Sequence, residues 1–422
     1  MARKRTTKKP TFKEASLFWG KLGCISFGGP AGQISIMHSE VVERRKWVSE
    51  DDYMHGLNYC MLLPGPEAQQ LATYIGWRLH GIKGALVAGG LFVLPSYFLF
   101  LLLGWLYMAH QSAGPVMAFF EGVKPAVVAI IFYAMFKIGK KVMKTHVHYG
   151  LATIALFGVG LLNISFLWVV ALGMFAGWLQ HTKSGAKNTW PKVSHTALRR
   201  AGKILLVGAA LGAAAMAAVF ALFSGTSAFA HMAVFFSKAA LVTFGGAYAV
   251  LPYVFQQAVE HYQWLTLPQM MDGLALGETT PGPLVMVVAF ISFVGGWNYA
   301  EAMQMVPLTG GVIGASIATF FTFLPSFIFI LMGGPMIQHL GKIPVVTKML
   351  SYITAAVVGT VAYLALFAAW HMFMPQQNLA SLNMVNVLLA VAYGVLLVRF
   401  HISMPLLVLA AGAVGLAQYF IF

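Results

Sequence analysis

Residues 63–70 read LPGPEAQQ and residues 280–287 read TPGPLVMV; both set a Pro-Gly-Pro break at the threshold of an apolar run. The two lie 217 positions apart. Under that shift residues 18–66 fall on residues 235–283 without a gap, and 14 of the 49 positions are identical. Ordinary composition gives roughly three or four. The shared residues are not generic hydrophobes: Lys21/Lys238, FGG at 27–29 and 244–246, Glu43/Glu260, Trp47/Trp264 and PGP at 64–66 and 281–283. At a shift of 230, FVLPSYFLF (92–100) matches TFLPSFIFI (322–330), and AVVAIIFYA (126–134) matches AVVGTVAYL (356–364). The chain reads as two copies of one unit.

Composition says what kind of unit. The 422 residues are 59% hydrophobic and 9% charged, with mean hydropathy +0.76, whereas a soluble chain carries about 25% charged residues. The reading is an all-α polytopic membrane protein. A net charge of +15 would suit nucleic acid, but the basic residues fall in short clusters between apolar blocks, the pattern of cytoplasmic loops. No nucleic acid is implied. No signal-peptide cleavage pattern follows the basic tail MARKRTTKKP. Cys24 and Cys60 make no disulfide or metal framework, and the thirteen histidines show no ligand spacing, so neither metal nor cofactor is expected.

Each copy holds about six apolar segments, and residues 204–224 between them form one unmatched span, giving about thirteen transmembrane segments. The expected division is a basic cytoplasmic tail (1–11), a first membrane repeat (12–180), a basic linker with the unpaired span (181–228) and a second repeat (229–422). The odd span turns the second copy upside down. With the N-terminus inside, loop 28–56 is expected outside, loop 247–269 inside and the C-terminus outside. The other loop charges fit; loop 247–269 has no Lys or Arg and lends the count no support. Whether the first two segments of each copy cross or re-enter stays open, and the later parity is the same either way. Inverted repeats with broken or re-entrant helices are a construction of secondary transporters, with the substrate at mid-membrane.

The breaks are then the candidate site. Glycine pairs Gly28–Gly29 and Gly245–Gly246 reach φ values closed to other residues and can form an anion-binding concavity. Pro64-Gly65-Pro66 and Pro281-Gly282-Pro283 start half-helices whose free N–H groups favour an anion, and Pro30 marks the other break. Lys21 and Lys238 precede the glycine pairs in apolar segments. Either they are paired cations around a central cavity or they snorkel to an interface. Gln69 and Gln70, with Thr279 and Thr280 beside the second break, offer polar side chains. Glu67 and Glu278 flank the PGP breaks on opposite sides; burial near hydrocarbon favours the protonated form, so either is a proton-coupling candidate or a helix cap. Glu121 and Lys124, three apart, neutralise each other on one helix face. Trp47 and Trp264 suit interfacial anchors.

FGGP (27–30), Glu43-x-x-x-Trp47, LPGPEAQQLATYIGWRLHG (63–81), FVLPS (92–96) and ETTPGPL (278–284) together resemble the chromate transporter family in its long, two-domain form. The resemblance implies a bacterial inner-membrane exporter of chromate, a sulfate-like dianion, driven by proton-motive force; partners are then the oxyanion, protons and the bilayer, with a homodimer left open. The second copy departs from the first: FGGA replaces FGGP, and Met286 and Val287 replace Gln69 and Gln70. Polar recognition is therefore expected mainly from the first half. Uptake of sulfate or another anion is the rival within transport. A passive channel is a further rival. An enzyme would need a constellation that only the neighbours Ser237 and Lys238 approach, and these point apart on a helix.

Overall fold

The computed structural model describes residues 9–27, 29–183, 194–244, 246–333, 343–374, 376 and 378–421, and among them there are sixteen α-helices and no strand. Gly28, Gly245, Lys342 and parts of the basic tail and linker lie outside the described residues. The first half comprises α1 (Phe12–Ile25), α2 (Gly29–His38, continued by a π-helical turn Ser39–Arg44), α3 (Glu50–Cys60), α4 (Glu67–His110), α5 (Gly114–Val142), α6 (His146–Leu162) and α7 (Phe166–Lys183). α8 (His195–Leu222) follows. The second half comprises α9 (Ala228–Val242), α10 (Ala247–Phe255, continued by a π-helical turn Gln256–His261), α11 (Leu267–Thr279), α12 (Val287–Asn298, entered through a 3₁₀ turn Leu284–Met286), α13 (Pro307–Gly333), α14 (Pro344–Phe373), α15 (Met384–Arg399) and α16 (Met404–Ile421). Local details recur at the 217 shift. The π-helical turns occupy 39–44 and 256–261, Lys46 and Gln263 have φ of 54° and 52°, and Gly65 and Gly282 have φ of 118° and 103°. Ser49 and Thr266 each cap the following helix through a side-chain oxygen.

The early segments of each half fold back on themselves. A Cβ on Gly56 would strike the Tyr74 ring, so α3 and the first arm of α4 lie side by side with the PGP break at their tip. Gly273 against Phe290 repeats the arrangement. Arg45 packs its guanidinium 4.9 Å from the Phe18 and Trp47 rings and 3.8 Å from Glu14, which returns the α2 arm to the start of α1. Asp52 meets Arg78 at 3.3 Å, and the Pro10 carbonyl lies 3.1 Å from His80 Nε2. Residues 10–14, 45–52 and 78–80 therefore share one end of the molecule, here called the N-face. In the second half, His231 stacks on Tyr262 and Asn298 Nδ2 donates to the Trp264 carbonyl at 3.0 Å. Gln269 meets Gln111 at 3.2 Å, which puts this group at the opposite end, the C-face.

Two sequence expectations change with this. Loop 28–56 turns on the same face as the start of α1 rather than across from it, and loop 247–269 turns on the opposite face. The physical reason is arm length. α4 is broken at His80 and Gly81 (φ +63°, ψ −149°) into arms 67–79 and 82–110. The first arm is about 20 Å long at 1.5 Å per residue, short of a hydrocarbon core about 30 Å thick. The arms fold together where Gly76 and Gly84 touch backbone to backbone, and Gly296 and Gly310 do the same in the second half. Among the described residues six helices are long and apolar enough to cross a membrane: α4, α5, α8, α13, α14 and α16.

The two halves are interleaved. α6 and α7 pack on α14 of the other half, and α15 and α16 pack on α5. Glycines permit the close crossings, as expected where lipid supplies no hydrophobic drive and backbones must approach. Gly173 and Gly177 lie on the backbone at Ile353 and Met349, Gly359 on the Ala152 carbonyl, and Gly122 against Gly415.

Candidate functional site at the meeting of four breaks

The four chain breaks converge in the interior and pair reciprocally. The Gly65 N–H donates to the Thr243 carbonyl at 2.8 Å, and the Gly282 N–H donates to the Ser26 carbonyl at 2.8 Å. Since 26 and 243, and 65 and 282, are each 217 apart, the two bonds exchange the same groups, as in an isologous contact. Serines from the matched LPS stretches complete the exchange. Ser96 Oγ donates to the Pro281 carbonyl at 2.7 Å, and Ser326 Oγ lies 3.4 Å from Gln70 Nε2. A Cβ on Gly282 would collide with Ser96 Oγ, and one on Gly65 with Ser326 Oγ. These glycines thus satisfy two demands at once, positive φ and no side chain.

The pairing alters what the breaks can offer. The N–H groups of Gly65 and Gly282, expected to face an anion, are spent on carbonyls of the opposite half. The N–H groups of residues 67–69 at the start of α4 still lack intrahelical acceptors. Thr279 Oγ1 donates back along α11 to the carbonyls of Ala275 and Leu276, at 3.2 and 3.1 Å, and Thr280 Oγ1 to Gly277 at 3.5 Å, so neither hydroxyl proton faces outward. Lys21 and Lys238 are both exposed on the flanks of α1 and α9 and have no carboxylate partner among the described residues. On the apolar stripe of α1 that includes exposed Leu17, the surroundings fit a snorkelling lysine. Gly29 and Gly246, at φ 67° and 96°, open α2 and α10, with Pro30 in the first turn of α2. Pro66 and Pro283 are the N-caps of their half-helices, and Pro64 and Pro281 lend carbonyls to Gln70 and Ser96.

The buried amide side chains here come from the first half. Gln33, Gln69 and Gln70 are fully buried, and each has an Oε1 without a partner. Gln33 Nε2 donates to the carbonyls of Ser26 and Gly282, Gln69 Nε2 to Thr73 Oγ1 at 3.0 Å, and Gln70 Nε2 to the Pro64 carbonyl at 2.7 Å. Their counterparts at the 217 shift are Val250, Met286 and Val287. Gln33 is a residue that sequence reading passed over; a lone amide about one turn past a glycine pair, with valine at its repeat position, was the available signal. Ser96 and Ser326 lay inside a recognised match, but only the fold brings each to the other half's break.

Glu67 and Glu278 sit on either side of this knot. Glu67 Oε1 approaches Gly246, lying 3.9 Å from where a Cβ there would stand. Glu278 is buried, accepts a 2.8 Å hydrogen bond from Tyr248 O–H, and borders a void of about 10 Å³ walled by Val127, Ile131 and Leu274. That void admits one water at most. The centre is closed to an oxyanion in this conformation.

Each face also carries a cleft, and the two differ in character. On the N-face a cleft of about 530 Å³ is lined by Tyr133, Phe136, Lys137, Lys140, Lys141 and His401. On the C-face a cleft of about 280 Å³ is lined by Asn163, Ser165, Gln256, Gln257, Glu260 and His261. Glu260, in the connector outside the spanning helices, accepts from Tyr363 O–H at 3.3 Å, and partial burial pushes its carboxyl above the ordinary range.

Buried breaks paired across two interleaved halves, in a helical body faced with apolar side chains, define a polytopic membrane protein of the transporter kind. The family model described as Chromate transporter matches residues 13–178 and 230–416, and the chain belongs to that family. A chromate transport protein of Cupriavidus metallidurans is 29% identical over 419 residues, covering 97% of this chain and 94% of the relative. A probable chromate transport protein of Synechococcus elongatus is 30% identical, covering 83% of each chain. A chromate transport protein of Pseudomonas aeruginosa is 30% identical, covering 81% of this chain and 77% of its own. No solved structure matches.

Proposed function

We propose that the chain is a secondary active transporter that moves chromate, a tetrahedral dianion, outward across a bacterial inner membrane in exchange for protons. The observation that carries this reading is the reciprocal pairing of the four breaks. It is a closed junction between two like halves that can part toward either face, as alternating access requires. The names of the relatives supply the substrate.

In this reading the repeats 12–180 and 229–422 are inverted, with 181–228 as linker, and the N-face is cytoplasmic. Nine helices cross: the long arm of α4, then α5–α8 and α13–α16. The early segments of each half dip in as paired hairpins, from the cytoplasm in the first half and from outside in the second. Loop charge supports the orientation, since the C-face connections 111–113, 163–165, 223–227, 256–266, 299–306 and 374–383 contain no Lys or Arg.

The dianion gathers in the N-face cleft beside Lys137, Lys140 and Lys141, which are drawn to it by long-range attraction. Parting the tips then frees the Gly65 and Gly282 N–H groups, and the amides of Gln33, Gln69 and Gln70 have unspent capacity beside them. Glu67 and Glu278 supply the proton link, because a carboxylate repels the anion and a carboxyl does not. Chromate accumulation in everted membrane vesicles under an imposed pH gradient tests the proposal, with sulfate as competitor. Accumulation that ignores the gradient sinks the coupled exporter, and full suppression by equimolar sulfate moves the substrate to sulfate.

A further inference from the structure

Asp272 is a further acid in the interior of the membrane body. It lies on α11, six residues before Glu278, and is 5% exposed. Tyr107 O–H donates to its Oδ2 at 2.8 Å, while Oδ1 is buried without a partner. Its repeat counterpart is His55, half-buried on α3, so the acid belongs to one half alone. An ionised carboxylate with one oxygen bare in an apolar interior is costly, and a proton on that oxygen removes the charge.

Its surroundings parallel those of Glu278. Both acids stand on the α11 arm, which packs on α5, and each accepts from a tyrosine hydroxyl. The Glu278 end looks to Lys137 on the N-face side, and the Asp272 end to Lys124 on the C-face side. Lys124 is paired with Glu121, whose side chain is 59% exposed, so charge reaches the surface from that side. Of the other elements packed on α11, α12 has no ionisable side chain and α16 only Tyr419, which lies against Gly114. Tyr107, Glu121 and Lys124 are therefore the groups that set the local field.

We infer that Asp272, held by Tyr107, is the outward proton-binding site of the transport cycle, with Glu278 the inward one on the same helical arm. The inference rests on the proposed proton exchange and adds the residue that takes up the proton from outside. Neutral side chains at the two ends of one arm let α11 move between the faces without carrying charge through the apolar interior.

The test uses purified full-length protein in proteoliposomes, with two readouts: chromate-driven proton flux from an entrapped pH dye, and chromate–chromate counterflow, which needs no net proton movement. Asp272→Asn should lower proton flux at least tenfold while counterflow stays within twofold of wild type, and Asp272→Glu should restore the flux. Tyr107→Phe should keep counterflow and shift the pH at which flux is half-maximal. Wild-type protein that moves chromate with no proton flux overturns the coupled exchange itself. If wild type shows flux and Asp272→Asn equals it, the assignment of Asp272 fails while the exchange stands. Loss of counterflow along with flux makes Asp272 a packing residue and also overturns the assignment.

Discussion

Gly282 shows how much one position is asked to do. Its φ of 103° belongs to glycine, its N–H holds the Ser26 carbonyl, and Ser96 Oγ fills the space a side chain would take. Gly282→Ala meets both backbone strain, about 1–3 kcal/mol for such a φ, and a collision that only movement of α4 can relieve. It should lower the unfolding temperature of the purified protein and abolish chromate accumulation in vesicles. Ser96→Ala removes only the hydroxyl bond to the Pro281 carbonyl, worth about 1 kcal/mol, and should keep most of the stability. Equal stability of the two variants would mean that the tip tolerates a Cβ. Gln33→Val installs the residue that the second half has at that place. If polar recognition resides in the first half, this variant should raise the KM for chromate roughly tenfold, the loss of a hydrogen bond to an anion being about 1.5 kcal/mol or more.

At the scale of elements, hairpins and crossings have nearly the same hydropathy. A run of 16 to 22 apolar residues satisfies either, so the sequence separated the segments but did not tell which of them turn back. What decides it is contact: Gly56 on Tyr74, Asp52 on Arg78, Pro10 on His80. None of these pairs is marked by periodicity. The breaks themselves were legible, because glycine and proline at a fixed offset need no partner to be noticed; the partners of the breaks, Thr243 for Gly65 and Ser26 for Gly282, were not. The lysines were ambiguous for a related reason. A charge in an apolar run announces unusual surroundings, but the face of α1 on which Lys21 lies depends on how α1 packs against α4. The hairpin reading makes a sharp prediction. In a Cys24→Ser/Cys60→Ser background, Lys46→Cys should react with a membrane-impermeant maleimide from the cytoplasmic side and Gln263→Cys from outside. Both residues are exposed at equivalent points of the two halves. Labelling from the same side would end the inverted arrangement.

For the whole molecule, the two faces differ in charge more than the two halves differ in shape. The N-face cleft carries Lys137, Lys140 and Lys141, and at the shift of 230 their places are taken by Phe367, Trp370 and His371. A dianion approaching from the N-face meets an attractive field, and one approaching from the C-face meets Glu260. Replacing all three lysines by Gln should raise the KM for chromate in everted vesicles about tenfold at low salt, with little change in kcat. Near 1 M salt, where screening acts within about 3 Å, the difference should vanish. The C-face has the complementary dependence on pH. Burial raises the Glu260 carboxyl, so it binds a proton more readily than an ordinary carboxylate as the outer pH falls. Its repulsion of chromate is therefore present above that raised value and is lost on acidification through it. Chromate movement back from the C-face, measured in right-side-out vesicles without a gradient, should rise as the medium is acidified. Glu260→Gln should hold it at the acid level throughout, and a variant that keeps the wild-type profile would assign the pH response to another group.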